Sequence, residues 1–412
     1  MIKTWFSTLS TRERRTFWGC FGGWALDGMD VQLYTFAIPA LMTAWNLSRT
    51  QAGELASVVL LLSALGGWLA GALSDRIGRV RTLQLSILWF AGFTFLSAFA
   101  QSFAQFAVCR SLMGLGFGAE WAAGAVLIGE TIRPELRGRA VGTVQSAWAI
   151  GWAAANGLSL VCLTLLPPDL AWRAMFAAGL APALLVIYLR RHVPEPEIFL
   201  RQPPAPQRLL AIFEPPVLRV TVLAALLSTG AQGGYYALTT WLPTFLKTER
   251  GLSVAGSSGF IAVVIAGAFA GYLVGAQLAD RLGRRRLFFC FGAAAIAVAA
   301  GYTLLPLTDR ALLVLGFPLG FCASGYFAGV GPFLTELYAT RMRGAGQGFS
   351  YNFGRGIGAL FPALVGALST SLSLGAAIAV FTTCAYALMC LAALLLPETA
   401  GRDLRDTDAL GI

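Results

Sequence analysis

Asp27 and Asp30 lie three residues apart in Trp24-Ala-Leu-Asp27-Gly-Met-Asp30-Val-Gln32-Leu-Tyr34, inside the first long apolar run of the chain. An ionised carboxylate in hydrocarbon costs about 2.5–3.5 kcal/mol on insertion scales, so such residues face a cavity or a partner. At i, i+3 the two share one helix face. Carboxylates that close do not ionise together cheaply, and a group that exchanges protons is what a proton carrier needs. The chemistry is that of a proton or cation site, with static partnership to an arginine as the alternative.

Arg110 and Arg355 are the two basic residues that also fall inside apolar runs. A guanidinium does not discharge itself by losing a proton, so each needs an anionic partner. For Arg110 the nearest acids are Asp27 and Asp30, in a coupling or a purely neutralising role. For Arg355 the second half offers no matching acid. The positions 205 residues after Asp27 and Asp30 are Gln232 and Tyr235. A carboxylate substrate would supply the missing charge through two parallel hydrogen bonds. The alternative is a pair with Glu120 or Asp30. Glu120 follows Arg110 by ten residues and serves either as a second protonatable site or as an anchor to a polar group such as Gln145. Gln145, Gln232, Tyr236 and Asn352 are the candidate ligand contacts, because side-chain amides without partners are costly in lipid. For the aromatics, helix packing is the plainer reading.

The elements that must position these residues are membrane spans. The chain of 412 residues is 57% hydrophobic and 12% charged, against about 25% charged in soluble domains. Mean hydropathy is +0.69. Twelve runs approach the ~20 residues needed to cross hydrocarbon: 17–43, 51–74, 83–101, 105–131, 140–165, 172–190, 218–245, 254–279, 287–307, 311–337, 345–369 and 374–396. They are long and continuous, which argues against a β-barrel. A Pro-rich segment, 193–217, divides them into halves at 1–192 and 218–412. Of the 30 Lys and Arg residues, 23 fall on the side of the N-terminus and five on the other. The positive-inside rule then places both termini in the cytoplasm and removes the need for a nucleic-acid partner. Glycine-rich pairs such as Gly267/Gly271/Gly275 and Gly354/Gly358 suit close helix packing. Pro243 is expected to interrupt the seventh span and form a flexible outer gate.

The halves repeat. Asp75-Arg76-Ile-Gly78-Arg79 returns as Asp280-Arg281-Leu-Gly283-Arg284, and Glu130 with Arg137 returns as Glu336 with Arg343, at offsets of 205 and 206. An acid inside each basic loop, repeated, suggests an interhelical latch on the cytoplasmic side: Asp75, Arg76, Arg79, Glu130, Arg137 and Arg139 in one half, and Asp280, Arg281, Arg284, Glu336 and Arg343 in the other. Charge for topology alone is the simpler alternative.

With these motifs and twelve spans, the chain resembles the major facilitator superfamily along essentially its whole length. The Gly71-Ala-Leu-Ser-Asp75-Arg76-Ile-Gly78-Arg79-Val-Arg81 loop is similar to the superfamily signature between helices 2 and 3. More narrowly, Asp27-Gly-Met-Asp30, the Arg110…Glu120-Trp121 run and Tyr351-Asn352-Phe-Gly354-Arg355 resemble aromatic-acid:proton and sialate-type metabolite:proton symporters. Ala119 stands where that pattern has its last glycine. The resemblance implies an all-α polytopic fold of two six-helix pseudo-repeated halves, rocking around a central site. It also implies a monomer, a carboxylate substrate and a coupling role for the helix-1 acid and helix-4 arginine.

Other classes lack their signatures. His192 is the single histidine, the seven cysteines have no metal-ligand spacing, and no P-loop is present. No cofactor, metal or enzymatic constellation is expected. The N-terminus is too polar, and the first span too long, for a signal peptide. The expected protein is a symporter of protons and a small organic anion in a bacterial inner membrane. A sugar, polyol or organic-cation carrier and a drug antiporter are the alternatives.

Overall fold

The computed structural model describes residues 2–196, 212–338 and 343–400. The side chains of Asp75, Arg76, Trp121, Arg137, Arg139, Asp280 and Arg343 lie outside the described residues, as does 197–211 of the Pro-rich segment.

The described chain is all helix, without strands. In order come α1 (Ile2–Ser7), α2 (Thr11–Trp45), α3 (Arg49–Ile77), α4 (Arg79–Ser97), α5 (Phe103–Thr131), α6 (Pro134–Gln145), α7 (Ala147–Leu165), α8 (Pro168–Ala178) and α9 (Ala183–His192). The second half supplies α10 (Pro215–Thr248), α11 (Val254–Leu282), α12 (Arg284–Leu304), α13 (Asp309–Gly325), α14 (Phe327–Glu336), α15 (Arg343–Gly358), α16 (Phe361–Leu368) and α17 (Leu374–Leu395). Hydroxyl side chains start several of them: Ser102, Ser253, Thr308 and Ser373 each accept a backbone N–H three residues on, which satisfies donors the helix leaves open.

Each expected run coincides with helix. Nine spans among the described residues are long and apolar enough to cross a membrane. The three remaining runs, 17–43, 105–131 and 345–369, hold Asp27 and Asp30, Arg110 and Glu120, and Arg355. Four runs are broken rather than continuous, at Ser146, 179–182, Tyr326 and 359–360. At Ser146 and Tyr326 the backbone tightens through three-residue bonds, Ala149 N to Ser146 O at 3.1 Å and Gly329 N to Tyr326 O at 2.9 Å. Pro243 does not interrupt its helix: α10 runs through it to Thr248. It lies near the helix end and is buried among packed neighbours, so the lost N–H bond does not terminate the element. The interruption on which the expected outer gate depended is absent.

The pseudo-repeat is visible in the packing. A methyl on Gly66 in α3 would lie 1.9 Å from the Leu115 carbonyl of α5, and one on Gly271 in α11 would lie 2.5 Å from the Phe321 carbonyl of α13. Those positions correspond at offsets of 205 and 206. Backbones this close admit only glycine.

The chain forms two compact units: Met1–Leu33 with Leu62–Ala205, and Tyr34–Leu61 with Pro206–Ile412. The α2–α3 turn thus groups with the second unit, although it precedes the Pro-rich segment. Within that unit the Ala363 N–H donates to Ser57 Oγ at 3.1 Å, and a methyl on Gly53 would lie 2.5 Å from the Pro362 carbonyl.

Candidate functional site

In the first unit, α2, α4 and α5 converge on a buried ion pair. Arg110 Nη1 lies 3.3 Å from Asp30 Oδ1 and 3.4 Å from Oδ2, and Nη2 donates to the Asp30 carbonyl at 3.4 Å. Thr94 Oγ1 donates to Asp30 Oδ1 at 2.6 Å and accepts from Arg110 Nη1 at 3.3 Å. Both charged side chains are 2% exposed or less. The Phe176 ring sits 5.2 Å from the guanidinium carbon. A pair this dry depends on mutual attraction and hydrogen bonding to offset desolvation, so removing one partner strands the other. Asp27, one turn earlier on α2, is fully buried.

Glu120 is buried as well and packs against α2. Its Oε1 would lie 2.1 Å from a methyl on Gly23. Gly23 therefore makes the space for the carboxylate. Ten residues of α-helix separate Glu120 from Arg110, about 15 Å along the axis.

In the second unit, α10 and α15 hold the other buried arginine. Arg355 Nη2 lies 3.5 Å from the Tyr351 hydroxyl, one turn back, and the guanidinium carbon lies 5.1 Å from the Tyr351 ring. The Tyr236 hydroxyl is also bonded to Arg355 and donates to Gln232 Oε1 at 3.4 Å. Gln232 Nε2 donates to the Tyr351 carbonyl at 2.9 Å. Glycines bring these helices together: methyls on Gly354 and Gly358 would lie 2.3 Å from Ser228 Cβ and 2.8 Å from Gly233 N. Arg355 falls in the last turn of α15, where helix carbonyls favour a cation, rather than in the middle of a continuous span.

Thus Arg355, Gln232 and Tyr236 form one cluster. Asn352 turns back to donate to the Gly348 carbonyl of its own helix at 3.0 Å. Gln145 is buried at the end of α6 and belongs to the first unit.

The loop residues form matched ion pairs. Arg79 Nε and Nη2 meet Glu130 at 3.2 and 3.1 Å. Arg284 Nε and Nη2 meet Glu336 at 3.2 and 2.9 Å. Arg281 is exposed at the end of α11. In each unit a glycine of positive φ, Gly78 or Gly283, precedes the arginine. A second glutamate then caps the helix that follows. Glu195 accepts from the N–H groups of Arg79 and Arg81 at 2.8 and 3.1 Å. Glu398 accepts from those of Arg284 and Arg285 at 2.9 and 3.1 Å. Glu195, Glu398, Thr94 and Phe176 join the site only through the tertiary structure. The Pro194-Glu195 and Pro397-Glu398 steps, each just past the last helix of a half, were the signal for the first two. For Thr94 and Phe176 no local pattern exists.

At the first unit's edge, Thr8, Ser10, Arg12, Glu13, Glu130, Thr131 and Arg133 line a cleft of about 520 Å³. Glu13 there accepts from Arg133 N and Nε at 3.1 and 3.0 Å and from Ser10 N at 2.7 Å. Burial pushes its pKa up, but these donors outweigh burial and leave it lowered.

A family model described as Major Facilitator Superfamily matches residues 20–315 and 278–410. A probable 4-methylmuconolactone transporter of Cupriavidus pinatubonensis is 44% identical over 402 residues, 96% of this chain and 93% of the relative. The cis,cis-muconate transport protein of Acinetobacter baylyi is 29% identical, covering 85% of this chain and 86% of that one. Among solved structures, the proton:xylose symporter XylE bound to 6-bromo-6-deoxy-D-glucose superposes with a TM-score of 0.76 at 20% identity, over 97% of this chain and 99% of that one. That likeness speaks to the fold.

Proposed function

The chain belongs to the Major Facilitator Superfamily, as an integral-membrane transport protein of small molecules and not an enzyme, and from that premise we propose that it is a proton-coupled symporter of a small organic anion, a carboxylate. The observation that carries the proposal is a buried guanidinium held in a polar cluster in each unit. Arg110 pairs with Asp30 of its own unit, and Arg355 is buried in a polar cluster with the hydroxyls of Tyr351 and Tyr236, which Gln232 ties together. A carboxylate bound to the Arg355 fork by two hydrogen bonds would be aligned as well as neutralised. The muconate named for one relative is such an anion.

Asp30 carries the proton in this reading. Its protonation weakens the hold on Arg110 and frees α2 to move against α5. Asp27 and Glu120 are the further protonatable groups. Proton and anion binding favour each other, as linkage requires when both stabilise one loaded state. The Arg79–Glu130 and Arg284–Glu336 pairs, with their capping glutamates, latch the cytoplasmic ends during alternating access. The distribution of Lys and Arg supports a cytoplasmic side for both termini, and the bacterial relatives support an inner membrane.

The test is proton uptake into proteoliposomes driven by cis,cis-muconate, sialic acid, short monocarboxylates, neutral sugars and organic cations. The expected result is carboxylate-driven uptake that Asp30→Asn abolishes and Arg355→Lys weakens. Uptake driven only by a neutral or cationic solute would overturn the carboxylate assignment. Carboxylate uptake that carries no protons would overturn the coupling.

A further inference from the structure

The mechanism so far uses Asp30 and Arg110 but not the group lodged between them. Thr94 sits on α4, is fully buried, and touches both partners. Its hydroxyl has one proton, and the geometry commits it: at 2.6 Å from Asp30 Oδ1 it donates to the carboxylate. Its lone pair then accepts from Arg110 Nη1 at 3.3 Å. The three side chains close a ring in which every contact is a hydrogen bond.

The position of Thr94 is fixed from behind. α8 packs on α4 and ends at Gly179, the first residue of the break between α8 and α9. A methyl on Gly179 would lie 2.1 Å from Thr94 Cγ2 and 3.0 Å from Cβ. Backbone conformation does not ask for glycine there, since φ is −63°; the space does. One turn earlier, Phe176 of the same helix lies over the Arg110 guanidinium. A single helical turn thus backs both Thr94 and Arg110. Among the described residues, Arg110 from α5 faces Asp30, with Asp27 one turn earlier on α2 itself. α4 contributes Thr94 and α8 the Phe176 ring.

We propose that Thr94 is the positioning residue of the coupling pair, setting how readily Asp30 takes a proton and holding Arg110 when it does. Its donated bond favours the ionised carboxylate. Its oxygen, being neutral, still accepts from Arg110 once Asp30 is protonated, so the guanidinium keeps a partner inside the membrane. The inference rests on the reading of Asp30 as the coupling carboxylate.

The test uses the full chain, purified and free of substrate. A carboxylic-acid infrared band is followed from about pH 4 to about pH 10 and assigned to Asp30 by its loss in Asp30→Asn. Thr94→Val keeps the shape and removes the hydroxyl; Thr94→Ser keeps the hydroxyl. A hydrogen bond to a charged group is the stronger kind, so the midpoint of the band in Thr94→Val is expected to move to higher pH by about one unit. Thr94→Ser is expected to stay with the parent. Should Thr94→Val not fold, Thr94→Ala carries the same test. An unmoved midpoint in the variant without the hydroxyl, or a serine variant that shifts as far as the valine one, overturns the role of Thr94 while leaving Asp30 as the coupling group. Absence of any titrating band that Asp30→Asn removes overturns the coupling reading itself.

Discussion

Each unit buries one arginine from an apolar run, yet the two are held by different means. Arg110 on α5 is met by Asp30 and Thr94, acid and hydroxyl from two other helices. Arg355 on α15 is met by Tyr351 of its own helix and Tyr236 of α10, with Gln232 completing the ring of hydrogen bonds. The arginines are not copies of one another. The repeat position of Arg110, 206 residues on, is Gly316, and that of Arg355, 206 residues back, is Ala149. The duplicated scaffold therefore carries two independent charge sites, while its glycine contacts and loop ion pairs remain duplicated. What the halves share are close helix contacts and loop ion pairs; where they differ, the proposed chemistry divides into a proton half and an anion half.

The largest effect that would sharpen this division is at Asp30. Asp30→Asn should lower proton-driven accumulation of cis,cis-muconate in proteoliposomes by roughly 100-fold, because an amide does not exchange the proton and the coupling between the two sites is lost. Arg355→Lys comes next. It should weaken apparent affinity about 10-fold through loss of the bidentate fork, with the pH dependence of uptake unchanged. An Arg355→Lys variant that keeps its affinity but loses proton coupling would break the division outright.

The two loop ion pairs, proposed as latches, should respond alike if they are true repeats. Arg79→Glu and Arg284→Glu are each expected to slow transport about fivefold, the equivalent of about 1 kcal/mol for a partly exposed pair. The paired reversals with Glu130→Arg or Glu336→Arg should recover part of that rate. Unequal losses would show that the two ends do different work.

The smallest effect concerns acid stability. Burial raises the pKa of Glu398, and the backbone donors of Ala400, Arg284, Arg285 and Thr399 more than reverse it, leaving it below the ordinary 4.5. A depressed folded value means that the stabilisation is full above the unfolded pKa and is lost as pH falls through the folded one. Glu398→Gln should therefore lose little more on acidification below that range, whereas the parent loses its cap. In detergent the variant's melting temperature at neutral pH should be lower by about 2–4 °C, with a flatter dependence on acid.

Much of this was legible in the chain itself. Apolar run lengths, the clustering of Lys and Arg and the offsets of 205 and 206 determine an all-helical, duplicated membrane protein, because lipid forces backbone groups into helices and duplication preserves spacing. Asp27, Asp30, Arg110 and Arg355 stand out because charge in an apolar run is costly wherever it folds. Those arguments are local, needing only composition and one-dimensional spacing. Which acid meets which arginine is not local. That Asp30 meets Arg110 through Thr94, that Glu120 fills the space over Gly23 and that Gly179 leaves room for Thr94 depend on helices far apart in sequence approaching within a few ångströms. Pro243 and the breaks at Ser146 and Tyr326 carry the same lesson: a proline did not end its helix, and two tyrosine- and serine-marked turns interrupted theirs. Packing against neighbours outweighs single-residue preference once an element is buried on most sides, and only the tertiary structure contains that packing.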